Sequence, residues 1–467
     1  VNSDKPKSEK NGLYPMKRKT VTLCMIARDN EKIIDATIKS ALAVVDEIVV
    51  VDVGSIDKTV LVAQGYGALV CSAKWQDDFS KLRNAALARA TSDWILMLDP
   101  GETLSPIRPV ELNKLISAEG IAGYKIKLQD IDSSRWQVNL FRNHPFVKYR
   151  YPVYEKIEVE LSGWAETRGL RIEESPLEIN RVAEHQNTYF AKQNGKLLQS
   201  AMHLFPEAAY FPYQHGCKNI QIDGTSALPV SGLNKAVESF SQSWNLVKEL
   251  PPEAYPTLDW LDDLIVKLVA GHLALNNYQA AMEIVTSGLE MLPGNLLIRL
   301  WRGVSVVSVL ESNPKMLPAD IITSLSDIAR IDFRNCMKES DYNSIRDGKR
   351  WRSLYASMWL GRLAMNQEQY DEANAHFCRC LAVNNSYTDA LVGLGICEEH
   401  EGNSRRALSC YMRAVNINEM TPEAWCRGSK VLEELNFVDN AATWQAKAKQ
   451  LFPEYYENYA VNQLQPS

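Results

Sequence analysis

The stretch Val49–Thr59, VVVDVGSIDKT, runs three valines into an aspartate and then into a short polar turn with glycine, serine and a second aspartate. An apolar run without polar alternation, bounded by turn formers, reads as a strand of a parallel sheet covered on both faces. In open α/β sheets the crevice beyond the carboxyl ends of such strands is where ligands bind. Asp52 at that edge is therefore either a ligand contact or the N-cap of the next helix.

Outward from this strand, Val21 to about Glu119 alternates strand-like and helix-like segments. VTLCMIA (Val21–Ala27), EIVVVD (Glu47–Asp52), ALVCSA (Ala68–Ala73) and DWILMLD (Asp93–Asp99) read as strands. EKIIDATIKSAL (Glu31–Leu42), DKTVLVAQGYG (Asp57–Gly67) and DDFSKLRNAALARA (Asp77–Ala90) read as the helices between them. This order implies parallel strands joined by right-handed crossovers, with Arg28, Asn30, Asp52, Asp57 and Asp99 gathered at one edge. GYKIKLQDI and RWQVNLFRN, beyond Ala122, alternate as antiparallel strands on the edge of the same sheet. Tyr149 to Gln186, rich in Glu and Arg, reads as loops and short elements around the site. No G-x-G-x-x-G follows the first strand, which disfavours a dinucleotide oxidoreductase.

After about residue 225 the strands stop and a repeat takes over. LGRLAMNQEQYDEANAHFCRCLAVNNSYTDA is followed by LGICEEHEGNSRRALSCYMRAVNINEMTPEA, so Gly361 recurs as Gly395, Ala373 as Ala407 and Ala390 as Ala424 at a 34-residue interval. Ala441 and Ala448 continue the series as a weaker copy. NNYQAAMEIVTSGLEMLPGN is a looser, earlier one, and NKAVESFSQSWNLV is a remnant of another. Small residues at that period are the signature of tetratricopeptide pairs, each burying its face only against its neighbours.

A length of 467 residues suggests two or three domains. The composition, 46% hydrophobic and 23% charged, is that of an ordinary globular protein. A net charge of −6 without an internal basic block argues against nucleic acid as a partner. Residues 1–20 carry Lys5, Lys7, Lys10, Lys17, Arg18 and Lys19 with almost no apolar surface, and read as a disordered basic leader rather than a secretory signal. No apolar run is long enough to span a bilayer. The nine cysteines, mostly scattered singly, argue against a disulfide framework and for a reducing compartment. The expected location is the cytoplasm, with weak attraction of the leader to an anionic membrane surface as the peripheral variant. The repeat cysteines Cys378, Cys397 and Cys410 read as small core residues.

Carboxylates at such a sheet edge suit a nucleotide: one accepts from ribose or base, another holds a divalent cation against a diphosphate. Hard cations favour oxygen and take one or two protein carboxylates plus phosphates. Asp99 fits that role, although a carboxylate before Pro-Gly equally closes a turn. Arg83, on the preceding helix, carries a fork of donors suited to a diphosphate. Trp75 and Phe79 suit either base stacking or packing of their helix. His144 and His185 read first as structural residues.

LCMIARDNE, VDEIVVVDVGSIDKT, KWQDDFSKLRNAALARATSDWILMLDPGE and LFRNHP together resemble the inverting family 2 glycosyltransferases of the GT-A fold, and in particular the bacterial branch with C-terminal tetratricopeptide repeats. The resemblance implies an α/β, Rossmann-like GT-A domain over residues 21–220 and an all-α tetratricopeptide-type domain over 225–467. It further implies that the loop Ala27 to Glu31, including Arg28 and Asn30, borders the base, that Asp52 contacts the nucleoside, and that Arg83 faces the diphosphate. Asp78 looks like a helix-start residue. Asp99 begins the metal motif, for Mn²⁺ or Mg²⁺. The sequence departs from the family at Gly101, where a second aspartate is usual, and at Tyr154, where the family carries His before the glutamate. If a metal binds, its ligation falls to Asp99 and Glu102; otherwise the protein works without metal or does not catalyse. Glu155 is the base candidate, with a surface pairing to Lys156 or Arg150 as the other reading. The expected donor is a nucleotide sugar, UDP-linked in the first instance, and the acceptor a protein, peptide or glycan, with a protein partner or self-association through the repeats. The alternative is a catalytically inactive scaffold whose repeats bind a partner.

Overall fold

The computed structural model describes residues 18–129, 134–181, 188–220, 230–312, 317–338 and 349–463. Most of the expected leader and His185 lie outside the described residues. The chain divides into two compact units, Val1–Pro206 and Glu207–Ser467.

The first unit is built on strands β1 (Val21–Ala27), β2 (Glu47–Asp52), β3 (Leu69–Ser72), β4 (Trp94–Met97), β5 (Glu102–Leu104), β6 (Ile121–Gln129), β7 (Ser134–Arg142) and β8 (Arg171–Arg181). Their order in the sheet is β3-β2-β1-β4-β7-β6-β8-β5. β1 to β4 are mutually parallel, β7 joins β4 antiparallel, and β6 joins β7 antiparallel. Leu23, Met25 and Val50 face one core while Cys24, Ile26, Val49 and Val51 face the other, so the central strands are buried on both sides. That double burial is why Val49–Val51 shows no alternation. The helices are α1 (Ile34–Ala41), α2 (Thr59–Gly65), α3 (Phe79–Leu87), α4 (Pro109–Ser117), α5 (Glu158–Glu166) and α6 (Thr188–Leu204).

Helix α1 starts later than the apolar spacing suggests, because Asn30 and Glu31 are drawn into a latch with the loop after β2. Glu31 N donates to Asp57 and Lys58 N to Glu31 (both 3.0 Å), while Ile56 N donates to Asp29 (2.8 Å). The described part of the region expected to be loops, residues 149–181, is more ordered than its composition suggests. It holds α5 and the eleven-residue β8, which runs parallel to β6 and antiparallel to β5. The pairing of β6 with β8 slips where Pro176 interrupts β8, as proline in a strand requires.

The second unit is helical: α7 (Tyr210–Ile220), α8 (Val230–Lys248), a short 3-10 turn at Pro252–Thr257, α9 (Leu261–Ala274), α10 (Tyr278–Met291), α11 (Leu296–Ser312), α12 (Ala319–Lys338), α13 (Lys349–Asn366), α14 (Tyr370–Val383), α15 (Thr388–His400), α16 (Ser404–Ile417), α17 (Pro422–Glu434), α18 (Val438–Leu451) and α19 (Pro453–Gln463). It begins at Glu207, earlier than the boundary at 220 expected from the end of the strands, because α7 packs on α8 with Phe240 against Gly216.

From α9 to α18 the helices pack in consecutive antiparallel pairs, the tetratricopeptide arrangement. The 34-residue period has two physical sources. Each tight turn between paired helices places one residue in left-handed backbone, at Glu368 (φ 57°), Gly402 (φ 76°) and Asn436 (φ 62°) in successive repeats. Each of the last three pairs also sets an aromatic ring against a glycine: Phe377 on Gly361, Tyr411 on Gly395 and Trp444 on Gly428. Ala373, Ala407 and Ala441 are buried at the equivalent crossings.

Candidate active site

Of the expected site residues, Ala27–Glu31, Asp52 and Asp99 lie at the carboxyl ends of β1, β2 and β4. Asp52 is paired in register with Ala27, and Asp99 lies two residues beyond Met97, which is paired with Cys24. With β1 between them, the strand ends carrying Asp52 and Asp99 are about 10 Å apart at the usual strand spacing.

The two carboxylates differ in surroundings. Asp52 is buried, and its oxygens accept from Gly54 N (3.1 Å) and Ser55 N (3.2 Å), closing the turn in which Gly54 takes φ 81°. Asp57, not Asp52, meets the start of α2, accepting from Thr59 N (2.9 Å). Asn30 is buried and receives Arg28 N at 2.8 Å. The Ala27–Glu31 loop is thus fixed from within and bound to the loop after β2.

Arg83, Asp99 and Glu155 converge. Arg83 on α3 is buried and forks onto Asp99, with Nη1 to Oδ1 at 3.0 Å and Nη2 to Oδ2 at 3.1 Å, while its Nε reaches Glu155 Oε1 at 2.5 Å. One guanidinium therefore joins a helix, the end of β4 and the loop after β7. Burial works against its charge, but Asp99 first and Glu155 second hold it firmly protonated. Asp99 shows the converse: burial pushes its carboxyl up, yet Arg83, then Arg181 and Arg135, bring it below the ordinary carboxylate range. Tyr149 lies beneath the guanidinium, 5.4 Å from its carbon.

The loop carrying Glu155 is held under strain. Tyr151 (φ 76°) and Tyr154 (φ 51°) both take left-handed backbone, a conformation costing about 1–3 kcal/mol per non-glycine residue and concentrated at functional sites. The loop is closed by reciprocal bonds between Arg150 and Lys156 (2.8 and 3.0 Å) and tied to α3 by Phe79 N on Pro152 O (2.9 Å). The amide of Asn84 donates to Tyr149 O (2.9 Å) and accepts from Tyr149 N (2.8 Å). Glu155 does not make a surface pairing with Lys156 or Arg150; its side chain is 11% exposed and bound to Arg83.

Glu102 turns away from the metal role expected of it. Its Oε2 accepts from Asp99 N (2.9 Å) and its Oε1 from Arg181 Nη2 (2.6 Å), and the side chain is 6% exposed. Glu102 and Arg181 are directly opposed across the β5–β8 ladder, which fixes that orientation. The Gly101 amide is taken by Thr37 Oγ1 (2.9 Å), with the glycine at φ 94°. Among the described residues no group of three or more His, Cys, Asp and Glu side chains is arranged to hold a metal. Asp99, 40% exposed, does fit a cation carried mainly by phosphates: of the carboxylates around Arg83 and Arg181 it keeps the most open edge.

Burial, then the charge of Asp99, raises the Glu102 carboxyl above its ordinary value of 4.5, with Arg181 opposing. A raised carboxyl favours the protonated native state, so this group's contribution to stability is lost as pH rises from 4.5 through the raised value. Glu102→Gln is expected to remove that slope, so that denaturation of the first unit across pH 4.5 to 7 shows the variant gaining on the wild type. A constant difference across the range would mean that Glu102 titrates as it does in water.

Several other residues settle into structure. Asp78 caps α3 by accepting from Lys81 N (3.2 Å). Trp75 and Phe79 pack edge to face at 4.8 Å, and Trp75 donates to Asp77. His144 lies against Trp164 and Phe146. Among the described residues no disulfide joins the nine cysteines, and no helix is long and apolar enough to cross a membrane. Arg181, Asn84 and Tyr149 were not singled out from the sequence. The pair Arg83-Asn84 was the available signal for the second of them.

Residues 22–162 match the family Glycosyl transferase family 2. Residues 22–162 are a glycosyl transferase family 2 domain. Two curated proteins align with the chain: a TPR repeat-containing protein of Synechococcus elongatus, 34% identical over 30% of this chain and 36% of its own, and an uncharacterized glycosyltransferase of Rickettsia bellii, 30% identical over 24% and 38%. The alignments thus span little more than a third of either relative. Solved structures similar to the chain include pilF of Pseudomonas aeruginosa (TM-score 0.38, 13% identity, 55% of this chain and 98% of that one) and a thermophilic TPR protein of Thermus thermophilus (TM-score 0.33, 17% identity, 44% and 100%). The tetratricopeptide assignment of the second unit rests on its helix pairs and their period. In the family 2 domain, the Arg83–Asp99–Glu155 cluster lies where the matched segment brings together α3, β4 and the loop before α5.

Proposed function

We propose that this protein transfers a sugar from a nucleotide donor, UDP-linked in the first instance, to a hydroxyl acceptor with inversion at the anomeric carbon. The observation that carries this reading is the arginine that joins Asp99 and Glu155 at the carboxyl edge of the parallel strands, beneath a strained loop. The nucleoside lies along the ends of β1 and β2, over the Ala27–Glu31 loop and the turn closed by Asp52. The diphosphate lies at Asp99. The acceptor oxygen attacks the anomeric carbon from the face opposite the diphosphate, the carbon–oxygen bond to the diphosphate breaks, and the acceptor proton passes to Glu155. Arg83 holds Glu155 in place through its Nε. Asp99 would hold a divalent cation, Mn²⁺ or Mg²⁺, together with the donor phosphates, and that cation would supply charge neutralisation of the leaving group. The helical unit offers a surface for the body of a large acceptor beyond the reacting sugar, for a protein partner or for a second copy, and Met420, Phe437 and Val438 give it exposed apolar surface.

Thermal shift with a panel of nucleoside diphosphates, with and without Mn²⁺, tests the reading, together with hydrolysis of UDP-sugars. A nucleotide-dependent rise in melting temperature, larger with Mn²⁺, is expected, and Asp99→Ala is expected to reduce turnover by about two to three decades. No shift with any nucleotide and no turnover would leave the second reading, a catalytically inactive scaffold. That reading draws support from Asp52, Asp99 and Glu155, which all find partners within the chain itself.

A further inference from the structure

The first unit contains a pocket of about 410 Å³ that the cluster around Arg83 does not use. Its walls come from the turn before α3 and the first turn of that helix (Gln76, Asp77, Asp78, Lys81), from Pro152, and from one side of α6 (Gln193, Lys196, Leu197, Ser200, Leu204) with Phe205 beyond it. Two of these walls belong to the candidate active site. Helix α3 carries Arg83 one turn beyond its N-cap at Asp78, and Pro152, whose carbonyl accepts from Phe79 N, begins the short run that ends at Glu155.

The lining divides by chemistry. Leu197, Leu204, Phe205 and Pro152 form an apolar part, with Leu204 still 69% exposed and Phe205 set edge-on to Tyr151 at 5.6 Å. Around it stand amides, a hydroxyl and ammonium groups from Gln76, Gln193, Ser200, Lys81 and Lys196. Asp77 and Asp78 add acceptors, although Asp78 is committed to the start of α3 and Asp77 to Trp75. The volume is within the range of small-ligand sites, which pair apolar walls with a few placed polar groups. A peptide side chain asks for one apolar slot or one charge. A pyranose ring asks for what stands here, an apolar surface for its C–H face and both donors and acceptors around its rim for the hydroxyls.

We propose that this pocket is the acceptor subsite and that it takes a saccharide, so that the transferred sugar is added to a glycan. The inference rests on the transferase reading and narrows it. A ring seated between α6 and the first turn of α3 presents a rim hydroxyl toward the loop that ends at Glu155. Lys81 and Lys196 extend the range to rings bearing a carboxylate or phosphate. Leu204 and Phe205 set the preference for a ring with an unobstructed face.

Saturation-transfer NMR on the full chain tests this, using free mono- and disaccharides with neutral, amino and uronic-acid hexoses, a set of short peptides, and UDP as the donor-side probe. Signal from at least one saccharide is expected, reduced tenfold or more in Ser200→Trp, which fills the pocket from an exposed helix position, and altered in charge preference in Lys196→Glu. Circular dichroism and melting temperature report whether each variant is folded. The proposal is overturned by saccharide signal that survives Ser200→Trp, by signal from peptides alone, or by no saccharide signal in a wild type that binds UDP. Failure of UDP to bind strikes instead at the transferase reading, and a saccharide lost on Ser200→Trp would then stand as a binding site without transfer.

Discussion

Arg83→Ala is expected to lower the melting transition of the first unit by roughly 6–12 °C and, on the proposed transferase reading, to abolish sugar transfer. The guanidinium is buried and gives Nε, Nη1 and Nη2 to two carboxylates, one of which, Glu155, is itself 11% exposed. Removing one partner of a buried ion pair strands the other charge, at about 3–5 kcal/mol. Asp99 is 40% exposed and reaches water, so the Glu155 arm dominates and the lower end, about 3 kcal/mol, applies. For a unit of 150–250 residues each kcal/mol moves the midpoint by about 2–4 °C. Arg83→Lys keeps the charge and loses the fork, and is expected to recover part of the stability and little of the activity. Arg150→Ala breaks an ion pair to Glu160 whose arginine is 59% exposed, and is expected to shift the transition by no more than about 1 kcal/mol of stability allows. Equal effects for the two alanine variants, read by calorimetry with the two units melting separately, would show that the buried cluster carries no special weight.

The parts of this molecule that were legible in its sequence are those in which one period or one motif acts alone. Ile48–Val51 is apolar throughout because both of its faces are buried, and the helical repeats announce themselves because the same glycine, ring and left-handed turn recur in register. Strand β8 was not legible. Pro176 breaks its alternation, and its charged residues Glu173, Glu174 and Glu178 mask the short buried run Ser175, Leu177 and Ile179. Arg181 went unseen with it. Glu102 shows the same limit from the other side. Its place three residues after Asp99 suggested shared ligation, but the orientation of its side chain is set by Arg181, a cross-strand neighbour far away in sequence. The pairing of Arg83 with Glu155 is likewise a long-range contact, and only the fold brings those residues together.

The second large effect lies in the helical unit, at Phe377. Its ring is fully buried between two helices that both present glycine to it: a Cβ built on Gly361 of α13 would stand 2.6 Å from the ring, and one on Gly393 of α15 would fall inside the ring's van der Waals shell. Phe377 thus wedges its own repeat and the next one at once. Phe377→Ala is expected to cost about 3–5 kcal/mol through lost burial and the cavity left behind. Gly393→Ala is expected to cost about 1–3 kcal/mol through overpacking against an aromatic ring that has nowhere to move. The double variant separates these causes. With the ring gone, the new methyl group at 393 meets no clash and fills part of the cavity, so the two changes together are expected to cost less than their sum, by about 1–3 kcal/mol. Urea denaturation followed through the helical signal gives the cycle. Because each repeat is stabilised through its neighbours, loss of this wedge is also expected to split the unit's unfolding into two steps, with α15 to α18 melting first. Strict additivity with a single transition would show that Phe377 and Gly393 do not couple and that the ring's place between adjacent repeats is not what joins them.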